Sequence, residues 1–142
     1  MEYKLKYRAK RKSDGVWIYG VPTECANGRC YMILGETEDS TDDNVNFFYS
    51  EIDKDTTGEY IGLHDAGGRD IFEDDIIAVG EDKPIGLVRH VIMWHKESAS
   101  FIAVSGGYRG FPITQEWIDR NNIIVVGNAI DNRNMAEEAL KE

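Results

Sequence analysis

Nine short apolar stretches, each bounded by turn residues, govern what this chain can fold into. They include "GVWIYGV", "RCYMILG", "VNFFYSEI", "EYIGL", "DIIAVG", "SFIAVSG" and "NIIVVGNAI". Their Val, Ile, Tyr, Phe and Trp content and their length suit strands, and the glycines and acids between them suit turns. Helical periodicity enters only at the end, where "NRNMAEEALKE" places Met135, Ala139 and Leu140 on one side, with Asn132 or Asn134 available as N-cap. "ITQEWIDRN" fits either a turn or two of helix or a bridging segment. The expectation is a mainly β (α+β) fold, a small β-barrel-like or curved antiparallel sheet with a short C-terminal helix. No repeat or Pro-rich linker divides residues 1–142, so a single domain is expected.

A chain of 142 residues with 42% hydrophobic content can bury a core without staples. Its 26 acidic and 16 basic residues give a net charge of -10, which disfavours nucleic-acid binding unless the cations gather on one face. No apolar run approaches the ~20 residues of a membrane span, and "MEYKLKYRAKRK" lacks the apolar centre of a signal peptide, so a cytoplasmic protein is expected. "GETEDSTDDN" reads as a solvated connection between strands. In "CANGRC", Asn27-Gly28 matches a two-residue hairpin turn that would set Cys25 opposite Cys30. With no Cys or His beside them, the pair cannot complete a structural zinc site.

The chemistry-bearing stretch is "IGLHDAGGRDIFEDDIIAV", with Asp65, Asp70, Glu73, Asp74, Asp75 and His64. Carboxylates suit magnesium or calcium, but counting from Asp65 puts Gly67, Arg69 and Ile77 at positions where an EF-hand needs oxygen ligands. The conformational reading gives Gly67 or Gly68 the positive φ of a turn capped by Asp65, with Glu73 to Asp75 on a solvated corner. His64 has no nucleophile nearby in sequence, and the chain has no G-x-S-x-G, H-E-x-x-H or P-loop motif. His90 and His95, five residues apart, project to opposite faces of one strand. No cofactor is expected.

Three stretches together resemble the YopX family of phage and prophage proteins. "YKLKYRAKRKSDGVWIYG" resembles its opening strand and return, "YIGLHDAGGRDIFEDDIIAV" its most recognisable segment, and "NIIVVGNAIDN" its closing strand. Ile61 stands where Thr is usual, and Asp74 where the corner Gly is usual. The resemblance implies a β-rich domain encoded by a phage or prophage and acting in a bacterial cytoplasm. It carries over structural positions only: Gly62, Leu63, Gly68, Ile71, Asp75, Ile76, Gly127 and Asn128.

A non-enzymatic accessory protein that binds a host or phage protein is the function expected first. Its candidate interaction surface is Trp94, Tyr108, Arg109, Phe111 and Trp117, since aromatic anchors dominate interfaces. "GGYRGF" reads there as a flexible contact loop, against the plainer reading that Tyr108 and Phe111 cover the core. Three other readings stay open. One is a surface imitating nucleic acid, and another a metal-dependent hydrolase or nuclease using Asp65 to Asp75. The third is nucleic-acid binding through Lys4, Lys6, Arg8, Lys10, Arg11 and Lys12, where Lys4, Lys6, Arg8 and Lys10 share one wet strand face opposite Leu5, Tyr7 and Ala9. Exposed strand edges would also permit a homo-oligomer.

Overall fold

The computed structural model describes residues 6–34, 48–80, 88–107 and 109–141. The acidic connection "GETEDSTDDN", Lys4, Leu5 and Tyr108 lie outside them. Among the described residues ten strands and two short helices follow one another, and the fold is mainly β, with antiparallel sheets and a short C-terminal helix as expected. The chain divides into two compact units, Met1–Tyr60 and Ile61–Glu142.

In the first unit β1 (Tyr7–Arg11), β2 (Trp17–Glu24), β3 (Cys30–Leu34) and β4 (Phe48–His64) pair in order, and β1 also pairs β4. The result is a ring-like sheet. Period-two alternation points Ala9, Ile18, Met32 and Ile52 inward to a small core, against which Tyr7 and Cys30 pack. Each buried Ile or Met side chain of this core contributes about 1.5–3 kcal/mol. β4 runs unbroken from Phe48 in "VNFFYSEI" through "EYIGL", two stretches that sequence alone separates. The ladder with β1 slips between Arg8 and Lys10, and Thr56 holds the bulge: its Oγ1 accepts from Lys10 N at 2.8 Å and donates to Asp53 O at 2.6 Å.

The "CANGR" turn corrects the expected cysteine register. Gly28 alone takes positive φ, at 82°, and Cys25 N donates to Arg29 O, so three residues form the loop and Cys30 pairs Glu24. A type I turn followed by a left-handed glycine inserts one residue more than the two-residue turn. Cys25 and Cys30 are both free thiols.

In the second unit the end of β4 turns through residues 65–69 into β5 (Asp70–Phe72). A five-stranded antiparallel sheet follows, built from β6 (Asp75–Val79), β7 (His90–His95), β8 (Ser100–Ser105), β9 (Arg109–Pro112) and β10 (Ile123–Asn128) in the order β10-β6-β7-β8-β9. One sheet face carries Ile77, Ile92, Ala103, Ile123 and Val125. These pack with Ile71 and with Ile118 of α1 (Gln115–Arg120). The opposite face carries Ile76 and Val91 against Ala136 and Ala139 of α2 (Arg133–Lys141). "ITQEWIDRN" is therefore helical, started by Thr114, whose Oγ1 accepts from Trp117 N at 3.2 Å.

The closing "GNAIDN" is a link between strand and helix. Asn128 Oδ1 accepts from Ile130 N and Asp131 N, and Asn132 O accepts from Ala136 N at the start of α2. Asn132 Oδ1 reaches back to Asn128 N, and a Cβ on Gly127 would sit 2.6 Å from that oxygen. A side chain at 127 would displace the Asn132 amide from its bond to Asn128 N.

Candidate functional site

In the acidic stretch the carboxylates of Asp65 and Asp75 accept from backbone N–H groups, and that of Asp70 pairs with His64. Asp65, 7% exposed, accepts through Oδ1 from Gly67 N and Arg69 N, both at 2.9 Å, and through Oδ2 from Val125 N at 3.1 Å. One side chain thereby closes its own turn and ties it to β10. Gly68 supplies the left-handed conformation, with φ 89°.

The corner that follows meets expectation at Asp74 and departs from it at Asp75. Asp74 takes φ 73°, the conformation for which glycine is usual, and its N–H and carbonyl bond Ile92 O and Ala129 N at 2.8 and 2.7 Å. Asp75 does not stand on a solvated corner: it is 1% exposed, and its Oδ2 accepts from Phe72 N at 2.8 Å. The β6 alternation that buries Ile76 and Ile77 leaves no wet side for the strand's first residue.

His64 pairs with Asp70, Nδ1 to Oδ1 at 3.0 Å, on an exposed position. Its backbone is bracketed by the Gln115 amide, which accepts from His64 N at 3.0 Å and donates to His64 O at 2.8 Å, as a neighbouring strand would. Gln115 therefore anchors α1 beside the turn through the His64 backbone. Among the described residues no group of three or more His, Cys, Asp or Glu is placed to hold a metal ion.

The aromatic residues singled out in the second unit separate into two sets. Phe111 and Trp117 meet edge to face at 4.9 Å, and His90 packs against both at 5.2 and 6.1 Å. All three are half-buried over the Ile92 and Ala103 core, so Phe111 and Trp117 cover the core. Burial lowers the His90 pKa from its ordinary value of 6.5, and a backbone hydrogen bond involving Val88 offsets this only in part. Trp94 remains 49% exposed beside Phe101, and Arg109 is exposed. "RGFP" is strand β9, and a Cβ on Gly110 would lie 2.6 Å from Ile102 Cδ1. That glycine lies in a strand, where a Cβ would crowd side chains of the neighbouring β8.

The surface that the sequence reading missed lies on the outside of the first unit. Val21, Ile33 and Tyr49 sit directly opposite one another on three paired strands, 40%, 38% and 70% exposed. Tyr31 packs edge to face on Tyr49 at 5.8 Å, and Thr23, Cys25, Tyr31, Ile33 and Tyr49 line a shallow groove of about 470 Å³. The row continues along β2 to Tyr19, over whose ring Lys6 Nζ lies at 5.3 Å. Lys10 covers Trp17 in the same way, while Arg8 is 4% exposed with its guanidinium 4.8 Å from that ring. The expected wet face of β1 is therefore packed on aromatics and is wet only in part. The alternation "W-I-Y-G-V" in β2 and "Y-M-I" in β3 held the signal: apolar residues on both faces of a strand leave one set outside.

Comparison with known proteins agrees with this architecture. A crystal structure of a protein from Enterococcus faecalis is similar at a TM-score of 0.61 and 19% identity, over 95% of this chain and 99% of that one. No curated protein matches the sequence. The family model described as YopX protein matches residues 6–137, and the chain belongs to the YopX family.

Proposed function

We propose that this protein is a phage or prophage accessory protein that acts without catalysis in the bacterial cytoplasm, binding a host or phage protein through the outer face of its first unit. The observation that carries the reading is the aligned row Val21, Ile33 and Tyr49, with Tyr31 beside it. Apolar side chains exposed contiguously across three strands cost solubility, and such patches mark contact surfaces. Tyrosine suits the role, because it offers large apolar area and a hydroxyl at little entropic cost.

The acidic segment supports the same reading from the other side. Asp65 and Asp75 serve backbone N–H groups, and Asp70 orients His64, so these groups already have structural work. A photo-crosslinking amino acid placed at Tyr49, and separately at Trp94, tests the assignment in infected cells. A discrete protein adduct from position 49 is expected. Adducts from position 94 alone, or none from 49, would contradict it.

A further inference from the structure

A second surface of the first unit differs in chemistry from the apolar row. Where β1 ends, β3 begins and β4 passes Ile52, an open cleft of about 490 Å³ is walled by Lys10, Arg11, Lys12, Arg29 and Lys54. They come from β1 and its following turn, from the "CANGR" turn and from the β4 bulge, three segments far apart in sequence. Among the described residues Glu51 and Asp53 are the acids in the wall. Five cations thus meet two carboxylates in a chain whose net charge is -10.

Internal pairing accounts for only part of this charge. Arg11 bonds Asp14 at 3.1 Å, and Lys12 lies 3.6 Å from Glu51. Asp53 Oδ1 accepts from Asp55 N. Among the described residues Arg29 and Lys54, both exposed, have no ion pair. Like charges gathered this way repel, and the repulsion is relieved when a multiply charged anion binds between them. The volume falls in the range of small-ligand sites, and arginine forks match phosphate oxygens in bidentate fashion.

We propose that this cleft binds a multiply charged phosphate group, carried either by a nucleoside polyphosphate or by the phosphorylated end of a nucleic-acid strand. The cleft lies at the Cys30–Ile52 end of β3 and β4, whereas Leu34 and Phe48 pair at the other end, so the site stands apart from the acidic connection's attachment points. It is independent of the protein-binding reading, and either can fail alone.

Calorimetric titration of the full chain with inorganic pyrophosphate at low salt tests the proposal, with melting temperature as a second readout. Saturable binding that weakens as salt rises is expected. Arg29→Glu and Lys54→Glu should each weaken it by about tenfold or more, and Lys96→Glu, in the exposed β7–β8 turn, should leave it unchanged. Arg29→Ala and Lys54→Ala, which introduce no new charge, keep the comparison available if a reversal disturbs folding. A nucleoside triphosphate and an oligothymidylate with and without a 5′-phosphate then identify the source: whichever phosphate carrier exceeds pyrophosphate is the physiological class. No binding of any of these probes, binding unaffected by the Arg29 and Lys54 variants, or equal binding of a polyglutamate peptide would overturn the proposal.

Discussion

In both the Cys25–Arg29 and the Asp65–Arg69 turns, the first residue's N–H donates to the fifth residue's carbonyl at 2.8 Å, and the fourth residue is a left-handed glycine. The backbones are alike, but the side chains put them to different uses. Asp65 reaches three backbone N–H groups and joins the turn to β10, while in the first turn only Asn27 bonds the backbone, through Oδ1 to Arg29 N at 2.9 Å. One turn is consumed by the fold. The other leaves Arg29 on a cleft and Cys25 on a groove. Turn geometry alone therefore says nothing of function, and the first residue's burial decides which role the turn can take.

The largest expected effect follows from that difference. Asp65→Ala removes an acceptor shared by three N–H groups, one of them buried, and should destabilise the protein by about 3 kcal/mol in urea unfolding. Asn27→Ala should cost about 1 kcal/mol or less. Equal losses would break the comparison.

Gly28→Ala and Gly68→Ala should sharpen it. A Cβ at either position meets nothing within 4 Å, so the cost is the left-handed backbone alone, about 1–2 kcal/mol in each turn. A large difference between the two would mean that the turns are not equivalent in backbone.

A smaller effect separates the covered aromatics from the exposed ones. His90, held below its ordinary value by burial, takes its proton less readily in the folded chain than in the unfolded chain. Its contribution is present above about pH 6.5 and is lost as pH falls through the folded value. Between about pH 8 and about pH 5, wild type should therefore lose more stability than His90→Gln. Parallel pH profiles would place His90 outside the covered cluster. Tyr49→Lys, at the most exposed aromatic, should change stability by no more than about 0.5 kcal/mol at any pH.

The elements most legible in the sequence were those fixed by local chemistry. Strand composition, the Asp65 cap, the Gly68 turn and the terminal helix follow from neighbouring residues, as does the left-handed corner at Asp74. Long-range pairing was less legible. Nothing local shows that Asp53 and Thr56 form a bulge inside one strand, because Thr56 meets Lys10 across 46 positions. The burial of Asp75 and the half-burial of Phe111 and Trp117 depend on what packs over them. The Cys30 register shifted because a single residue distinguishes two hairpin loops. The apolar row was written in the alternation of β2 and β3, but only pairing aligned Val21, Ile33 and Tyr49. The basic cleft joins cations whose sequence neighbours gave no sign of a common wall.

The central claim is that contact lies on the first unit's outer face and that the acidic segment serves the fold. Quantitative affinity capture from infected-cell lysate, run side by side with wild type, Ile33→Lys/Tyr49→Lys and His64→Gln/Asp70→Asn, tests it most directly. The account predicts a nuclease-resistant protein partner that falls by about tenfold or more with the outer-face variant and is retained with the acidic-segment variant. Retention by the outer-face variant, with loss in the acidic-segment variant, would contradict it.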